Sequence, residues 1–320
     1  MFFLVGPTAV GKSEIAGEVA ARCNAEIVGA DAFQAYEGLE LLTAKPAADL
    51  RAKVRHHLIG EIPLGEKFDA GRYRELALER VRDIEARGKR ALVVGGTGLY
   101  VRALTHGLAE LPESDPDLRR ELDALTLTQL QEKYRALDPL GMERIDRQNP
   151  RRLVRAIEVS LLAGVPFSSL RADWGGQAAP RLAVCGVALH RDREELNRRI
   201  DERVRRMFTG GVVQEIQAAG EVGPTASQAI GYTEIKAHLR GEMNVEECVR
   251  AIQQRTRQYA KRQLTWLRRE NIFFEINLTT NLQSDNPQDA VELIARRIVS
   301  RGPCGPDGEQ KWGIPTPKDV

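Results

Sequence analysis

Short apolar runs alternate with longer segments of helical periodicity along much of the chain. Apolar runs of about four to eight residues bounded by glycine or charge are typical of strands buried on both faces. Their alternation with amphipathic helices predicts an α/β protein with a parallel sheet flanked by helices. The predicted strands are MFFLVG, AEIVGAD, RALVVGG, RLAVCGVALH and ENIFFEINL, and the predicted helices include KSEIAGEVAARC, FDAGRYRELALERVRDIEARG and DAVELIARRIVSR.

The pattern changes after Ser114, where helical periodicity continues without a strand-like run as far as about Gly176. SDPDLRRELDALTLTQLQEKYRALDP is predicted to begin at a Ser114 cap, and NPRRLVRAIEVSLLAG to run from Asn149 to Gly164. The tail is rich in glycine and proline with few aliphatic residues, which predicts disorder. The predicted parts are an α/β core at 1–113 and 181–300, a helical insertion at 114–180 and a disordered tail at 302–320.

The net charge of +2 does not identify a partner, because an average can hide a local basic face. Arginine is dense between Arg144 and Arg206 and between Arg250 and Arg269, which fits either RNA binding or solvated helices with paired charges. The four cysteines are far apart, so we expect free thiols in a reducing compartment. No run approaches the roughly 20 apolar residues of a membrane span, and MFFLV is too short for a signal peptide. We expect a cytoplasmic monomer with no membrane partner.

The stretch GPTAVGKS, Gly6 to Ser13, has the form of a nucleotide-binding phosphate loop (P-loop) between a predicted strand and a predicted helix. Its amides and the helix N-terminus would bind an anion, Lys12 would reach a terminal phosphate, and the Ser13 hydroxyl would ligate Mg²⁺. A glycine turn without a ligand leaves the adjacent Lys12 and Ser13 unexplained. The loop alone does not decide between an ATPase, a kinase and another use of a phosphorylated substrate.

Asp31 follows the second predicted strand, in ADAFQAYEGLELLTAKP. Ligands of open α/β sheets bind outside the carboxyl ends of the strands, so we expect Asp31 to face the P-loop. It could hold Mg²⁺ through water or act as a general base, and a helix cap is the alternative. The amide of Gln34 both donates and accepts hydrogen bonds, which suits it to reading the edge of a base.

The third predicted strand ends in VVGGTGLY, without the metal-binding aspartate that an ordinary nucleotide hydrolase often has there. This absence counts against routine ATP hydrolysis. We expect the glycines to let a ligand approach the backbone closely. The alternative is a tight turn in which glycine supplies a positive φ.

Two basic helical segments are candidates for binding charged ligands. In RDREELNRRIDERVRRM, Arg199 and Arg203 share a helix face and could neutralise a diphosphate, unless they pair with neighbouring acids. In TRQYAKRQLTWLRR, Tyr259 and Trp266 lie among cations, as on RNA-binding surfaces, although aromatic residues at this spacing are more often core.

In this order, the motifs closely resemble the bacterial tRNA dimethylallyltransferases, the tRNA adenosine isopentenyltransferases of the IPP transferase family. The resemblance runs from about Phe2 to Trp266. The motifs that carry it are GPTAVGKS, Asp31 with Gln34 and TAKP, HHLI, GGTGLY, NPRRLVRAIEV, AIGYTEI and TRQYAKRQLTW.

The resemblance implies transfer of a dimethylallyl group from dimethylallyl diphosphate to the exocyclic N6 of the adenosine just 3′ of a tRNA anticodon. The implied cofactor is Mg²⁺, and the implied partner is the anticodon stem-loop, which the helical insertion would grip. By position, Asp31 matches the general base, with Thr8 and Arg203 as further catalytic residues and Ser13 at the metal. The positions implied to bind diphosphate are Gly6, Pro7, Thr8, Ala9, Val10, Gly11, Lys12, Ser13 and Arg203. The positions implied to contact tRNA are Asp31, Ala32, Phe33, Gln34, Thr97, Arg119, Gln148, Asn149, Pro150, Arg151 and Arg152.

Four positions depart from the family pattern: Ala32 where serine is usual, Glu37 for a basic residue, Leu42 for glycine and Gly60 for aspartate. These departures bear on the rate or on the choice of tRNA more than on the reaction. A small-molecule kinase and a non-catalytic RNA-binding protein are the competing hypotheses.

Overall fold

The computed structural model describes residues 1–172, 184–270, 272–280 and 287–300. The predicted tail at 302–320 and the start of RLAVCGVALH therefore lie outside the described residues. The strands are β1 (Phe2–Val5), β2 (Ala25–Ala30), β3 (His56–His57), β4 (Arg90–Gly95), β5 (Gly186–His190) and β6 (Phe274–Asn277). The helices are α1 (Lys12–Arg22), α2 (Ala48–Lys53), α3 (Ala70–Ala86), α4 (Gly98–Thr105), α5 (Pro116–Asp123), α6 (Leu127–Leu137), α7 (Pro139–Arg144), α8 (Pro150–Ala163), α9 (Phe167–Ala172), α10 (Arg193–Thr209), α11 (Val212–Ala218), α12 (Tyr232–Leu239), α13 (Val245–Glu270) and α14 (Pro287–Val299).

The strands form one six-stranded sheet in the order β3-β2-β4-β1-β5-β6, and every neighbouring pair is parallel. This confirms the predicted α/β class. The short edge strand β3 was not predicted, because two residues give no recognisable pattern. The three strands β2, β4 and β1 are neighbours, so their carboxyl ends lie side by side.

The strands are apolar throughout because helices cover both faces of the sheet. Phe3 and Val5 of β1 point into one core, and Phe2 and Leu4 into the other, as the two-residue period of a strand requires. Helices α3, α4 and α12 supply the first core, and α1 and α14 the second. Helices α10 and α13 bury residues in both cores, so their orientation is fixed from two sides.

The described residues group into two compact units, Met1–Thr105 with Leu182–Val320, and His106–Arg181. The second unit contains α5 to α9 and has a core of its own that includes Leu122, Tyr134 and Ile157. It begins at His106, ahead of the position 114 expected from sequence. In the described ranges, no helix combines the length and apolar character needed to cross a bilayer.

One predicted helix start is wrong. Asp115, and not Ser114, caps α5, because its carboxylate accepts hydrogen bonds from the amides of Asp117 and Leu118 (both 2.9 Å). Ser114 instead donates to Glu158 at 2.6 Å. The predicted bounds of the later helix are confirmed: Asn149 caps α8, and Gly164 ends it with φ 68°.

The buried Glu26 ties β2 to neighbouring segments of the sheet unit. Only 2% of it is exposed, yet its carboxylate accepts hydrogen bonds from Arg87 (2.6 and 2.7 Å), Lys89 (2.8 Å) and His57 (2.8 Å). The hydrogen bonds from Arg87, followed by those from Lys89 and His57, hold the pKa of Glu26 well below its ordinary value of 4.5.

We expect Glu26→Gln to lower the free energy of unfolding at pH 7 by about 2 kcal/mol, because it removes charge-assisted hydrogen bonds from a buried site. The pKa of Glu26 is lower in the folded protein than in the unfolded chain. Its contribution is therefore complete above pH 4.5 and declines as the pH falls below that value. Urea denaturation as a function of pH measures both effects. The exposed Glu79→Gln is the control, and equal losses in the two variants would contradict the prediction.

Candidate active site

Three loops meet at the carboxyl edge of the sheet: Gly6–Ser13 after β1, the Asp31 segment after β2 and Gly96–Thr97 after β4. Because β4 lies between β2 and β1, its loop separates the other two. Ligands of open α/β sheets bind at this edge.

The glycine loop, Gly6–Ser13, has a backbone that needs outside support. Gly11 has φ 104°, in the left-handed region that favours glycine, and Ala9 has φ 63°, which is costly for a residue with a Cβ. Cationic side chains hold the carbonyl groups of the loop. Lys12 Nζ donates to the oxygens of Gly6 (3.0 Å) and Pro7 (2.7 Å), Arg199 Nε to Ala9 (2.8 Å), and Arg191 Nε to Val10 (2.9 Å).

These bonds determine where the amides of the loop point. In a planar peptide unit the carbonyl and the next N–H face opposite ways. The amides of Val10 and Gly11 therefore point away from Arg199 and Arg191. With the unpaired N–H groups at the start of α1, they form a concave donor surface suited to an anion.

Arg203 connects the glycine loop to a second segment. Its guanidinium donates to Thr8 Oγ1 at 3.0 Å and to the Thr43 oxygen at 3.4 Å. The alternative of pairing with acids applies to its neighbours Arg191 and Arg198, whereas Arg199 and Arg203 form no ion pair within the described residues. Their charges are therefore available to a ligand.

Burial disfavours the charged forms of the two cations Lys12 and Arg203. Desolvation lowers the pKa of Lys12 to about 8, although nearby Asp31 acts in the opposite direction and Arg203 adds to the lowering. Burial likewise lowers the pKa of Arg203, again opposed by Asp31. Two desolvated cations beside a concave donor surface favour a multiply charged anion.

A cavity of about 700 Å³ opens above the glycine loop. Asp31 and Gln34 line it together with Lys12, Ser13 and Arg203, and so do the apolar side chains of Leu41, Leu50 and Met207. The cavity thus joins the glycine loop and its cations, a carboxylate and an apolar wall.

The two oxygens of Asp31 have different surroundings. Oδ1 accepts hydrogen bonds from the amides of Phe33 (3.0 Å) and Gln34 (3.2 Å), which forms a turn. This corrects the capping alternative, because the residues after Asp31 form a turn and not a helix. Oδ2 accepts no hydrogen bond from any residue that the structure describes, so one oxygen positions the side chain and the other is available for chemistry.

Gln263 of α13 was not predicted as part of the site, and only 5% of it is exposed. Its Oε1 accepts from the Thr8 amide (2.8 Å), and its Nε2 donates to the Gly96 oxygen (2.9 Å). Tyr259 lies close to Gln263 and Thr97, whose side chains both act to lower the pKa of its hydroxyl. The only available sequence signal was the four-residue spacing of Tyr259 and Gln263, which places both on one helix face.

Thr97 continues this network, because its Oγ1 accepts from the amide of Ala32 at 3.1 Å. Burial raises the pKa of Tyr259, so its hydroxyl stays protonated at neutral pH. Hydrogen bonds of Gln263 thus hold Thr8 in the glycine loop, a hydrogen bond of Thr97 holds Ala32 beside the carboxylate, and Tyr259 lies close to both side chains.

The alternative of a turn with positive φ is wrong for VVGGTGLY, because Gly95, Gly96 and Gly98 have no positive φ. Close approach of a ligand stays a prediction, and Gly95 lines the cavity. A Cβ would collide with the Ala30 carbonyl at Gly95, with the Gln263 amide at Gly96 and with the Trp266 ring at Gly98. Trp266 is thus partly buried and packs against the first core, which favours the alternative given for the basic aromatic helix.

Gln34 differs from its expected use. Its Nε2 donates to the oxygens of Thr43 (3.1 Å) and Ala44 (3.0 Å), so the amide cannot donate to a base as the sequence analysis assumed. Only Oε1 is left to a ligand.

The structure shows the surroundings of two of the four residues that depart from the family pattern. Leu42 is buried beside Gly231, and Gly60 adopts φ 66°, which suits glycine.

The second compact unit carries the remaining candidates. Arg119 donates to the fully buried Glu158 at 2.8 Å, and Arg155 donates to the same carboxylate at 2.7 Å. Arg151 and Arg152 are exposed on the first turn of α8. Gln148, Asn149 and Pro150 precede or begin that turn, with Asn149 used as its cap.

A glycine loop supported by cations lies beside a carboxylate in one cavity of a parallel α/β sheet, an arrangement suited to a group-transfer enzyme. The sequence model of the IPP transferase family matches residues 34–270. The chain is 43% identical to the tRNA dimethylallyltransferase of Geobacter metallireducens, with 83% of this chain and 88% of that protein covered. It is also 43% identical to the one from Anaeromyxobacter dehalogenans, with 94% and 99% covered.

A solved structure gives the same result. The tRNA isopentenylpyrophosphate transferase of Bacillus halodurans superimposes with a TM-score of 0.66 at 30% identity, over 93% of this chain and 96% of that one. The chain belongs to the IPP transferase family and is an enzyme, a prenyltransferase.

The donors present fit Mg²⁺ better than a metal held by protein alone. No group of three or more His, Cys, Asp or Glu side chains in the described residues could form a cage. Ser13 lies in the wall of the cavity with Asp31, and its hydroxyl has no hydrogen-bond partner among the described residues. Mg²⁺ keeps several waters and takes substrate phosphate oxygens, so such a sparse donor set suits it.

We expect Gln263→Leu, which has similar size and no amide, to lower the free energy of unfolding by about 2 kcal/mol. It leaves the Thr8 amide and the Gly96 carbonyl without partners. Gln254→Leu on the exposed face of the same helix is the control, with little effect. Denaturant unfolding compares the two, and equal stabilities would show that the Gln263 bonds contribute nothing.

Proposed function

We propose that this enzyme transfers a dimethylallyl group from dimethylallyl diphosphate to N6 of the adenosine just 3′ of a tRNA anticodon. The observation that carries the proposal is the shared cavity: Asp31 presents a free oxygen to the space above the cation-supported glycine loop. The relatives named above support the substrate classes, since their names include tRNA and a dimethylallyl or isopentenylpyrophosphate group.

The donor side of the cavity suits a prenyl diphosphate. The diphosphate would bind the loop amides, with Lys12 and Arg203 compensating its charge. The apolar wall of Leu41, Leu50 and Met207 would take the prenyl group. As the carbon–oxygen bond breaks, negative charge grows on the leaving diphosphate, and fixed cations stabilise this charge more than that of the bound substrate.

The acceptor side needs a base. An exocyclic amine conjugated to a purine is a poor nucleophile, and removal of its proton strengthens it. The N6–carbon bond would form while the carbon–oxygen bond to diphosphate breaks and its electron pair leaves with the diphosphate. The N6 proton would pass to Asp31 Oδ2.

Mg²⁺ bound by the Ser13 hydroxyl and the diphosphate oxygens would supply further positive charge beside the leaving group. The chain itself orients the diphosphate through the loop and shields the reacting carbon from water with the apolar wall. Thr8 accepts a hydrogen bond from Arg203 and so links that cation to the loop.

The tRNA must deliver an unstacked loop base, at a cost of a few kcal/mol. Exposed cations of the helical insertion, above all Arg151 and Arg152, would offset this cost by binding phosphates of the anticodon stem-loop. Arg119 could do the same with the part of its guanidinium that Glu158 leaves free.

Asp31→Asn tests the base. The asparagine oxygen still accepts from the Phe33 and Gln34 amides, so the turn persists, but the side chain no longer accepts a proton at neutral pH. With Mg²⁺, radiolabelled dimethylallyl diphosphate and unmodified tRNA, we expect single-turnover prenylation to fall on the order of 100- to 10,000-fold, with tRNA binding kept. Undiminished product from the variant would rule out this role. Labelled phosphate passing from ATP to an acceptor, without prenylated tRNA, would indicate a kinase instead.

Arg203→Ala tests the stabilisation of the leaving group. We expect kcat to fall by about 100-fold or more while tRNA affinity stays nearly unchanged, because the guanidinium contacts the glycine loop. Arg205→Ala, exposed on the same helix, is the matched control and should retain activity. Steady-state kinetics and tRNA binding separate the effects, and a loss confined to tRNA affinity would contradict the assignment.

A further inference from the structure

The carboxamide of Gln34 has one orientation in this structure. Its Nε2 donates to two carbonyl oxygens, those of Thr43 and Ala44. A flipped amide would set Oε1 against both oxygens, so the bonds themselves fix the flip. Oε1 then faces away from them and accepts no hydrogen bond from any residue in the described ranges. Gln34 lines the cavity beside Asp31.

The segment that orients Gln34 is itself held in place. Leu41 and Leu42 donate their amides to the two carboxylate oxygens of Glu215 on α11, at 2.7 and 2.8 Å. Ala44 adopts φ 45°, in the left-handed region, which turns the chain sharply at this point. The Thr43 hydroxyl donates to the Leu39 oxygen at 2.6 Å. The Thr43 and Ala44 carbonyls are therefore in fixed positions before any substrate binds.

Asp31 and Gln34, three positions apart in the sequence, both line the cavity, and each has an oxygen that accepts no hydrogen bond from the described residues: Oδ2 of Asp31 and Oε1 of Gln34. Neither side chain has a hydrogen-bond donor left for a ligand. An exocyclic amine carries two hydrogens in the plane of its base, which matches two acceptors. A carbonyl group at the same position of a purine would set a third acceptor against them, and each unpaired or repelled polar atom weakens binding.

We propose that Gln34 is the specificity-determining residue for the acceptor base: Oε1 holds the amine hydrogen that stays, while Asp31 Oδ2 takes the hydrogen that leaves. Glu215 is the positioning residue that fixes this acceptor through the Leu39–Ala44 turn. The ligand class is a base with an exocyclic amine, adenine among the purines, and hypoxanthine and guanine are rejected at the 6-position. The proposal rests on the proposed function and adds the basis of its base selection.

A binding experiment tests the proposal without turnover. Two anticodon stem-loop RNAs differ only in the acceptor base, adenine in one and unsubstituted purine in the other. Their affinities are measured with Mg²⁺ and inorganic diphosphate present and no prenyl donor. We expect wild-type protein to prefer the adenine RNA about tenfold, the size of a net hydrogen bond with a charged or polar acceptor.

In Gln34→Met, which has similar length and no polar group, we expect that preference to fall by at least about threefold. The affinity for the purine RNA should stay unchanged, which also reports an intact fold. A Met variant with the wild-type preference would overturn the proposal, and so would a wild-type protein that does not distinguish the two RNAs.

Glu215→Ala tests the same proposal at a residue that does not itself line the cavity. It releases the Leu41 and Leu42 amides, so the preference for the adenine RNA should fall while the purine RNA binds as before. Glu221→Ala, exposed after α11, is the matched control and should behave as wild type. An undiminished preference in Glu215→Ala would refute the positioning role.

The two levels of the proposal fail in different ways. If the wild-type protein prefers the adenine RNA but transfers no prenyl group, the proposed function is wrong and the base selection stands. If prenylation proceeds and Gln34→Met leaves the preference intact, the base selection is wrong and the proposed function stands.

Discussion

The hydrogen bonds of Gln263 join two loops beyond the ends of β1 and β4, where the pairing of the strands no longer holds them. The Gln263 carboxamide accepts a hydrogen bond from the Thr8 amide and donates one to the Gly96 carbonyl. It therefore fixes the distance between the two loops. Because the side chain is almost fully buried, neither bond can be exchanged for water at low cost. The position of the glycine loop relative to the rest of the site follows from this side chain.

Tyr259 lies close to both Gln263 and Thr97, and Thr97 accepts a hydrogen bond from the backbone amide of Ala32. The glycine loop and the carboxylate are thus held by neighbouring side chains, although they follow different strands. Reactions that join two substrates gain most from such an arrangement, since the entropy of positioning is lost on folding and not again in each turnover. In the same way, Glu215 fixes the position of Gln34 on folding, before the acceptor base binds.

Sequence reasoning succeeded where structure is decided locally. Apolar runs predicted the strands of the sheet other than β3, and the glycine loop was placed correctly between β1 and α1 because strand, loop and helix are contiguous. Asp31 could be located at the carboxyl edge because parallel strands share a direction. The family, too, was recognisable from motifs in a fixed order.

The incorrect predictions have a common cause, because each concerns a residue whose role depends on contacts with segments distant in the sequence. Nothing near Gly96 or Gly98 in sequence indicates that Gln263 and Trp266 will occupy the space of a missing Cβ. Serine is a common helix cap, but the Ser114 hydroxyl donates a hydrogen bond to the buried carboxylate of Glu158 instead. The Gln34 amide donates its hydrogen bonds to two carbonyl oxygens of a turn, and the shape of that turn depends on Glu215. These effects follow from three-dimensional neighbours, and one sequence does not contain them in readable form.

Two side chains that support the glycine loop come from far along the chain: Arg199 is separated from its partner Ala9 by 190 positions, and Gln263 from its partner Thr8 by 255. During synthesis on the ribosome, the loop emerges first and its supports emerge only after the helical insertion. A nascent chain that stops short of α10 therefore carries the anion-binding motif without the side chains that shape it. Competence for catalysis therefore requires synthesis at least through Gln263 of α13.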